Sequence, residues 1–382
     1  MSHFDKKMLS FFITTKCNMC CKYCYNAAER HRLKERTISL KIAKAAIDWY
    51  FNNTRYRHIR FYGPGEPTQE FTRLREITEY AKHHILSENR VTTEMQTNGV
   101  FSKHIREWCS ENIDIMWVSF DGLPDIQNSN RPINPEYAYL YDEKKSSEVL
   151  EDNITWLINN SVNGSVIGAR VTITDRNVNQ QIEMIDYFDS LGLKYVWTDP
   201  LFHPVGTCPF TQSSQRNESD NIDLQLYVNK YYQAYKYAER KGLFWGSFLA
   251  VNFDGSCEYH CRACDPISAP HITPDGYISA CDLVLLGTEA YHMAPFVVGK
   301  WDDDKNAFSI DAAAVDVLRK RNINNMPHCL NCEARLQCGG YCLGETLNEV
   351  GDLYGQDKNR CKAIVDLYHK MGTVERYPLF HP

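Results

Sequence analysis

The sequence lacks the segments that would place the protein in a membrane or direct it out of the cell. It contains no run of 18 apolar residues, so no stretch is long enough to span a bilayer as a helix. The first seven residues lead directly into an apolar segment, without the long apolar core and small-residue cleavage site of a signal peptide. We therefore expect the protein to lie in the cytoplasm.

A large basic surface and a repetitive architecture are also missing. The 42 Lys and Arg residues are outnumbered by 48 Asp and Glu residues, and the net charge is −6 at pH 7. This balance argues against a broad nucleic-acid-binding surface. No internal repeat or low-complexity tract is present, and 382 residues with 43% hydrophobic content suffice for one large domain and one small domain.

Cysteine, in contrast, is abundant. The chain has 15 cysteines, an odd number, and their spacings are clustered. In a reducing compartment such clusters favour metal ligation over disulfide bonds.

Six short strand-like segments alternate with helical patterns. The first helical pattern covers about 39–52 and begins with a serine that can cap it. This alternation is typical of an α/β fold built from parallel βαβ units, which right-handed crossovers close into a full or partial barrel. The predicted strands cover residues 9–15, 58–62, 91–97, 115–120, 166–173 and 195–198.

Polar motif residues follow the ends of these strands. Cys17 follows the first strand, Gly63 the second, Asn98 the third and Asp121 the fourth. The carboxyl ends of parallel strands form the ligand-binding face of such folds. The sequence therefore predicts one shared site at this end of the barrel.

The loop after the first strand holds four cysteines within eight residues. A tetrahedral zinc site normally uses two separated Cys-x-x-Cys pairs, whereas Cys20 and Cys21 are adjacent and their side chains diverge. We interpret Cys20 as a non-ligand, which leaves Cys17, Cys21 and Cys24 as a set of three ligands. Three thiolates on a four-iron cluster leave one iron open for another molecule. A zinc-binding or redox-inert cluster is the alternative.

This spacing resembles the signature of the radical S-adenosylmethionine (SAM) family. Tyr23 matches the aromatic residue that the family usually places before the third cysteine. The resemblance implies a partial (β/α)6 barrel, a 4Fe–4S cluster, and SAM bound to the open iron through its amino and carboxylate groups. It also implies an external electron donor of the flavodoxin or ferredoxin type, because reductive cleavage of SAM produces the 5′-deoxyadenosyl radical that abstracts a hydrogen atom.

Three further loops resemble SAM-binding segments of the family. Residues 63–67 resemble its Gly-Gly-Glu-Pro segment, although a proline separates the two glycines here. Residues 96–99 resemble the loop after strand three, and 119–132 include matches to strand four and its extension. Alone, each segment is more often a turn or a surface ion pair. By resemblance, the residues that contact the cofactor are Gly63, Gly65, Glu66, Asn98, Ser119, Asp121 and Arg131, of which the arginine would pair with the methionine carboxylate.

A second cysteine-rich region begins at residue 257. Its spacing, with Gly276, is close to the seven-cysteine pattern of the SPASM extension, which carries two auxiliary 4Fe–4S clusters and brings the expected total to three. Two zinc-ribbon sites are the alternative. The resemblance assigns one cluster to Cys329, Cys332, Cys338 and Cys361. It assigns the other to Cys264, Cys281, Cys342 and an upstream cysteine, for which Cys261 and Cys257 compete. If neither ligates, that cluster has an open iron.

The resemblance also implies three segments of the chain and a candidate general base. It implies a radical SAM core at 1–220, a linking helical segment at 221–256 and a SPASM domain at 257–382. Asp282 directly follows Cys281, where sulfatase-maturating members of the family have an Asp that resembles a general base. A surface or helix-capping Asp is the alternative.

The features together predict a radical peptide maturase that oxidises or crosslinks side chains of a ribosomally made precursor peptide. The rival functions are formylglycine formation on a sulfatase, radical oxidation of a small metabolite, and a zinc-stabilised binding module without catalysis. The chain begins almost at the first barrel strand. We therefore expect either a separate small protein that recognises the precursor or a short substrate.

Overall fold

The computed structural model describes residues 7–24, 35–84, 90–161, 165–202, 222–255, 267 and 269–374. Within these ranges, eleven strands form one mixed sheet. The strands are β1 (Leu9–Phe12), β2 (His58–Tyr62), β3 (Thr92–Thr97), β4 (Ile115–Ser119), β5 (Val166–Ile173), β6 (Tyr195–Pro200), β7 (Phe244–Ser247), β8 (His271–Ile272), β9 (Tyr277–Ser279), β10 (Val297–Asp302) and β11 (Ala307–Ile310).

Strands β1 to β7 lie side by side in chain order, and every neighbouring pair among them is parallel. The predicted α/β architecture with a partial barrel is confirmed, and all six predicted strands are present. β7 is a seventh parallel strand that the sequence did not predict. β1 is shorter than predicted, because the chain beyond it turns so that Thr14 forms an isolated bridge with Thr37.

Helices connect the parallel strands. The first begins after Ser39, whose hydroxyl accepts the N–H of Ile42 at 3.2 Å, as the predicted cap requires. In the described part of the chain, no helix combines the length and the apolarity needed to cross a membrane. The helices are α1 (Leu40–Asn53), α2 (Phe71–Lys82), α3 (Lys103–Asn112), α4 (Pro124–Asn130), α5 (Ser146–Asn160), α6 (Gln181–Ser190), α7 (Leu224–Lys241), α8 (Ala312–Lys320), α9 (Arg335–Cys338), α10 (Leu343–Val350) and α11 (Lys358–Met371).

The C-terminal region continues the barrel sheet. β8 pairs in parallel with β1, with Ser10 opposite His271 and Phe11 opposite Ile272. β9, β10 and β11 then extend the sheet as antiparallel strands. Gly276 has a φ of 83° in the turn between β8 and β9, a backbone conformation that favours glycine. The pairing places the second cysteine region beside the strand that leads into the first cysteine loop.

Two tryptophans fill part of the barrel interior. The indole of Trp117 lies against Gly168 on β5, and the indole of Trp197 lies against Gly246 on β7. A Cβ atom on Gly168 would come within 2.4 Å of Trp117, and one on Gly246 would come within 2.3 Å of Trp197. The two glycines therefore leave the space that the indole rings occupy.

We predict that Gly168→Ala destabilises the fold. Its methyl group would overlap the Trp117 ring, and overpacking of this kind typically costs about 1–3 kcal/mol. Chemical denaturation of anaerobically prepared protein measures the change. Gly255→Ala is the control, because in the described part of the chain no heavy atom outside the adjacent residues lies within 4 Å of a Cβ placed there. Equal stability of the two variants would contradict the packing argument.

Candidate active site

The cysteine loop is held by backbone hydrogen bonds on two sides. The N–H of Cys20 donates to Pro132 O at 2.9 Å, and the N–H of Lys22 donates to Asn130 O at 2.9 Å. On the other side, the N–H of Glu66 donates to Lys16 O at 2.7 Å. The segments that follow β2 and β4 thus fix the path of the cysteine loop.

Gly65 permits the closest of these approaches. A Cβ atom on this residue would lie 2.2 Å from Lys16 O and 2.6 Å from Thr14 O. Both contacts are with backbone atoms, which cannot move aside as a side-chain tip can. The glycine is therefore a packing requirement of the cysteine loop, which the sequence had indicated only as a cofactor contact.

The three predicted ligands and the fourth cysteine of the loop differ in exposure. Cys17, Cys21 and Cys24 are half-buried and line one cavity, whereas Cys20 is exposed. Within the described residues, no group of three His, Cys, Asp or Glu side chains has the arrangement of a site for a single metal ion. An iron–sulfur cluster binds each thiolate through a different iron and needs no such convergence. Three thiols around one cavity can each serve as the ligand of one iron of such a cluster.

Tyr23 links a buried carboxylate to a guanidinium. Its hydroxyl donates to Asp121 Oδ2 at 2.6 Å and accepts from Arg131 Nη1 at 2.9 Å. Asp121 also accepts from Asn130 Nδ2 at 3.2 Å and from the N–H of Thr172 at 3.3 Å. Burial raises the pKa of Asp121, and the nearby Arg131 and these hydrogen bonds oppose that rise. The network fixes Arg131 at the cavity wall.

Asn98 contacts the first cysteine. Its Nδ2 lies 3.9 Å from Cys17 Sγ and donates to Asn18 Oδ1 at 2.7 Å. Its Oδ1 accepts the N–H of Val100 at 2.8 Å, so the amide has a single favourable orientation. The two N–H groups of this amide therefore point to Asn18 and to the sulfur of Cys17.

Glu66 joins the loops after β2 and β3. Its carboxylate accepts from Thr97 Oγ1 at 2.7 Å, from the N–H of Asn98 at 2.7 Å, and from the hydroxyl and N–H of Thr68 at 2.8 and 3.1 Å. Burial raises the pKa of this carboxyl group, and the same hydrogen bonds oppose the rise. The structure thus gives Glu66 a role in holding two loops, beside the cofactor contact that the resemblance implies.

A cavity of about 250 Å³ extends between the two cysteine regions. Its wall contains most of the residues predicted to contact the cofactor, and Asp121 lies behind the wall. From the C-terminal region, the wall includes Cys281, Asp282 and Cys342. The predicted cofactor contacts in the wall are Tyr23, Gly63, Gly65, Glu66, Asn98, Ser119 and Arg131.

A polar layer of the cavity wall was not predicted. Gln96 Oε1 accepts from Arg60 Nη2 at 3.2 Å and from Arg170 Nη1 at 2.9 Å, and Arg170 also pairs with Asp199. All three residues of this hydrogen-bonded group, Arg60, Gln96 and Arg170, line the cavity. The sequence did carry one signal for this layer. Side chains alternate between the two faces of a strand, so Arg60 and Tyr62 on β2 project to the same face.

His271 is a second residue that the sequence analysis missed. It lies on β8 and is buried, with a relative exposure of 5%. It lines the cavity together with Asp282. Burial lowers the pKa of this imidazole to about 4, although the carboxylate of Asp282 opposes the change. The side chain is therefore neutral near pH 7, and its burial disfavours the protonated form.

Four cysteines of the C-terminal region lie near one another. Burial raises the pKa of Cys338, and the nearby Cys361 and Cys329 raise it further. Burial also raises the pKa of Cys361, to which Cys329 and Cys332 add. These are the four residues that the resemblance assigns to one auxiliary cluster, and that role stays a prediction. Cys257, Cys261 and Cys264 lie outside the described residues.

The segment between Cys338 and Cys342 turns sharply. Gly339, Gly340 and Tyr341 have φ values of 65°, 88° and 61°. The buried Arg321 holds this turn, donating to Gly340 O at 2.8 Å, Tyr341 O at 2.9 Å and Leu353 O at 3.1 Å. Cys338 then lies near Cys361, whereas Cys342 lines the cavity.

The fold and the cysteine loop together define the class of protein. Residues 11–196 match the radical SAM superfamily, so this part of the chain is a radical SAM domain. Members of that superfamily bind a 4Fe–4S cluster and SAM.

Three relatives extend the comparison. The radical SAM cyclopropyl synthase TigE of Paramaledivibacter caminithermalis is 22% identical over 385 residues, which cover 95% of this chain and 72% of that protein. Native anSMEcpe with bound AdoMet has a TM-score of 0.69 at 15% identity, covering 95% of this chain and 96% of that one. Streptococcus suis SuiB bound to the precursor peptide SuiA has a TM-score of 0.61 at 14% identity, covering 94% and 76%. The two structural likenesses establish a shared fold.

We predict that Tyr23→Phe weakens SAM binding about tenfold. The variant removes the hydroxyl that links Arg131 to Asp121, and loss of a hydrogen bond to a charged group costs about 1.5 kcal/mol. Anaerobic calorimetric titration of the cluster-loaded protein with SAM gives the affinity.

Tyr237→Phe is the matched control for this variant. Tyr237 also donates to a carboxylate, Asp186 Oδ1, at 2.8 Å, but does so on the exposed surface. An unchanged affinity in Tyr23→Phe, or an equal loss in the control, would show that the network does not orient Arg131 for SAM.

Proposed function

We propose that the protein is a radical SAM peptide maturase that oxidises or crosslinks side chains of a ribosomally made precursor peptide. The observation that carries the proposal is the single cavity whose wall contains Cys17, Cys21 and Cys24 on one side and Cys281 and Cys342 on the other. Such a cavity lets one substrate group contact both a radical source and an electron acceptor.

The first cysteine loop would hold the SAM-binding cluster. Cys17, Cys21 and Cys24 are the proposed ligands, and Arg131, held by Tyr23, would bind the methionine carboxylate. When bound, the cluster and SAM supply the 5′-deoxyadenosyl radical for hydrogen abstraction. The chain itself excludes bulk water and orients the reactants within the cavity.

The opposite wall would complete a net oxidation. After a substrate C–H group has lost its hydrogen atom, the substrate must lose one electron and one proton to become a closed-shell product. Asp282 and His271 line the cavity, and Asp282 is the proposed proton acceptor. The second cysteine region is the proposed electron acceptor, with two auxiliary 4Fe–4S clusters ligated as the SPASM resemblance implies.

The structural relatives support a peptide substrate. The proteins named as relatives include SuiB bound to a precursor peptide, and anSMEcpe with both AdoMet and a peptide. Formylglycine formation on a sulfatase is the second candidate, favoured by Asp282, which lies in the cavity directly after the buried Cys281. We also propose that a separate protein recognises the precursor. An external electron donor of the flavodoxin or ferredoxin type would supply the electrons.

Cys24→Ala is expected to abolish 5′-deoxyadenosine release from SAM under reductant, because two thiolates cannot hold the cluster in place of three. Cys20→Ala is a matched control from the same loop, and we expect it to keep the activity, since Cys20 is exposed. Chromatographic assay of 5′-deoxyadenosine in anaerobic reactions measures both. Normal release by Cys24→Ala would contradict the ligand assignment.

The peptide substrate is tested in the same reactions. Short peptides encoded beside the gene are added to the wild-type protein, and mass spectrometry follows the loss of hydrogen from them. A sulfatase fragment in which Cys or Ser becomes formylglycine would favour the second candidate. Modification of neither class would contradict the peptide proposal.

Iron analysis separates the auxiliary clusters from the first cluster. We predict that replacing Cys17, Cys21 and Cys24 together with Ala leaves about eight iron atoms per chain, four for each auxiliary cluster. Iron and labile sulfide are measured on the anaerobically reconstituted variant. Zinc in place of iron, without sulfide, would contradict the proposal and favour the zinc-ribbon alternative.

A further inference from the structure

Two cations converge on the outer side of the cysteine loop. Lys22 Nζ donates to Ser129 Oγ at 3.1 Å, and Arg176 Nη1 donates to the same hydroxyl at 2.8 Å. Both cations are exposed, and within the described residues neither forms an ion pair, although Asp125 and Asp175 lie close in sequence. Two like charges that share one neutral acceptor repel each other, and a carboxylate from a partner would offset that repulsion.

Exposed apolar side chains lie on the segment that packs against the same loop. Tyr139 and Leu140 are 69% and 54% exposed on the short helical turn Pro135–Tyr141. This turn contacts the cysteine loop directly, since Asn18 Nδ2 donates to Tyr141 OH at 2.8 Å. Single exposed apolar residues are common, but an adjacent pair on a segment that contacts the same loop as two unpaired cations is typical of a protein interface.

The position of this surface suits electron delivery. A carrier protein cannot enter a cavity of about 250 Å³, so an electron for the first cluster must arrive through the protein surface. Lys22 lies between Cys21 and Cys24 in the sequence and is exposed, as is Cys20. Because electron transfer slows steeply with distance, the outer side of this loop is the most direct route to the three thiols.

We propose that the docking face formed by Lys22, Ser129, Tyr139, Leu140 and Arg176 binds an acidic, low-potential electron-transfer protein of the flavodoxin or ferredoxin type. One electron passes from the carrier, which is oxidised, to the cluster held by Cys17, Cys21 and Cys24, which is reduced. The inference rests on the proposed function and adds the site at which its electron donor binds. The net charge of −6 would repel an acidic carrier, so the attraction must be local to this face.

The test compares a protein reductant with a small one. Cluster reduction is followed by absorbance in anaerobic stopped-flow experiments, with reduced flavodoxin or with dithionite as the donor. For the double variant Lys22→Glu/Arg176→Glu, we expect reduction by flavodoxin at low salt to fall at least about tenfold and to lose most of its salt dependence. Reduction by dithionite, which needs no docking, should be unchanged.

Two further variants sharpen the comparison. Arg55→Glu/Lys300→Glu makes the same charge change at exposed cations without ion pairs elsewhere in the described structure, and it should reduce the rate with flavodoxin only slightly. Tyr139→Ser/Leu140→Ser should raise the flavodoxin concentration that gives half-maximal rate. If the first double variant also slows dithionite, the milder Lys22→Gln/Arg176→Gln replaces it in the same comparison.

The outcomes separate the docking face from the proposed function. The docking face would be overturned if the variants at Lys22 and Arg176 were reduced by flavodoxin as fast as the wild-type protein. It would also be overturned if the Arg55 and Lys300 control lost as much of its reduction rate as those variants. A wild-type protein that releases no 5′-deoxyadenosine even with dithionite would instead overturn the radical SAM function on which the inference rests.

Discussion

The parallel pairing of β8 with β1 is the interaction on which the arrangement of the site depends. β1 has β2 on one side and β8 on the other, so the strand that leads into the first cysteine loop also anchors the C-terminal region. Only two register pairs, Ser10 with His271 and Phe11 with Ile272, make this connection. Because backbone hydrogen bonds allow little freedom of register, the short pairing places Cys281 and Asp282 across the cavity from the cysteine loop.

Networks of hydrogen bonds stabilise the polar groups of the cavity wall. A buried carboxylate and a half-buried guanidinium are costly unless each has partners, and here Tyr23 provides a hydroxyl that serves both Asp121 and Arg131. Glu66 likewise joins the loops after β2 and β3, since its carboxylate accepts hydrogen bonds from residues of both. Each network orients a wall residue and also ties together loops that come from different strands.

The sequence predicted the parts of the site that depend on local spacing. The six parallel strands, the Ser39 cap and the grouping of Cys17, Cys21 and Cys24 follow from short-range patterns, and the structure has each of them in place. Cys20 is exposed, and its interpretation as a non-ligand stays a prediction. Local patterns were informative here because strand alternation, capping and the spacing of cysteines in one loop are set within a few residues.

The features that the sequence did not predict depend on residues far apart in the chain. Arg60, Gln96 and Arg170 come from three strands and form one polar layer only after those strands pair. β7 and β8 are four and two residues long, too short for a periodic signal, and their roles come from the strands beside them. The place of Asp121 behind the wall could not be read from its motif, because burial depends on Tyr23 and Arg131 packing over it.

The sequence by itself determined the type of fold, the three cysteines of the first loop and the family that they indicate, since these depend on neighbouring residues. Only the tertiary structure decided that both cysteine regions share one cavity, and that His271 and Gln96 face it. It also decided that Lys22 and Arg176 meet at Ser129 on the outside of the loop. The physical reason is that strand pairing and crossover packing bring together side chains whose separation in the chain carries no information about their distance in space.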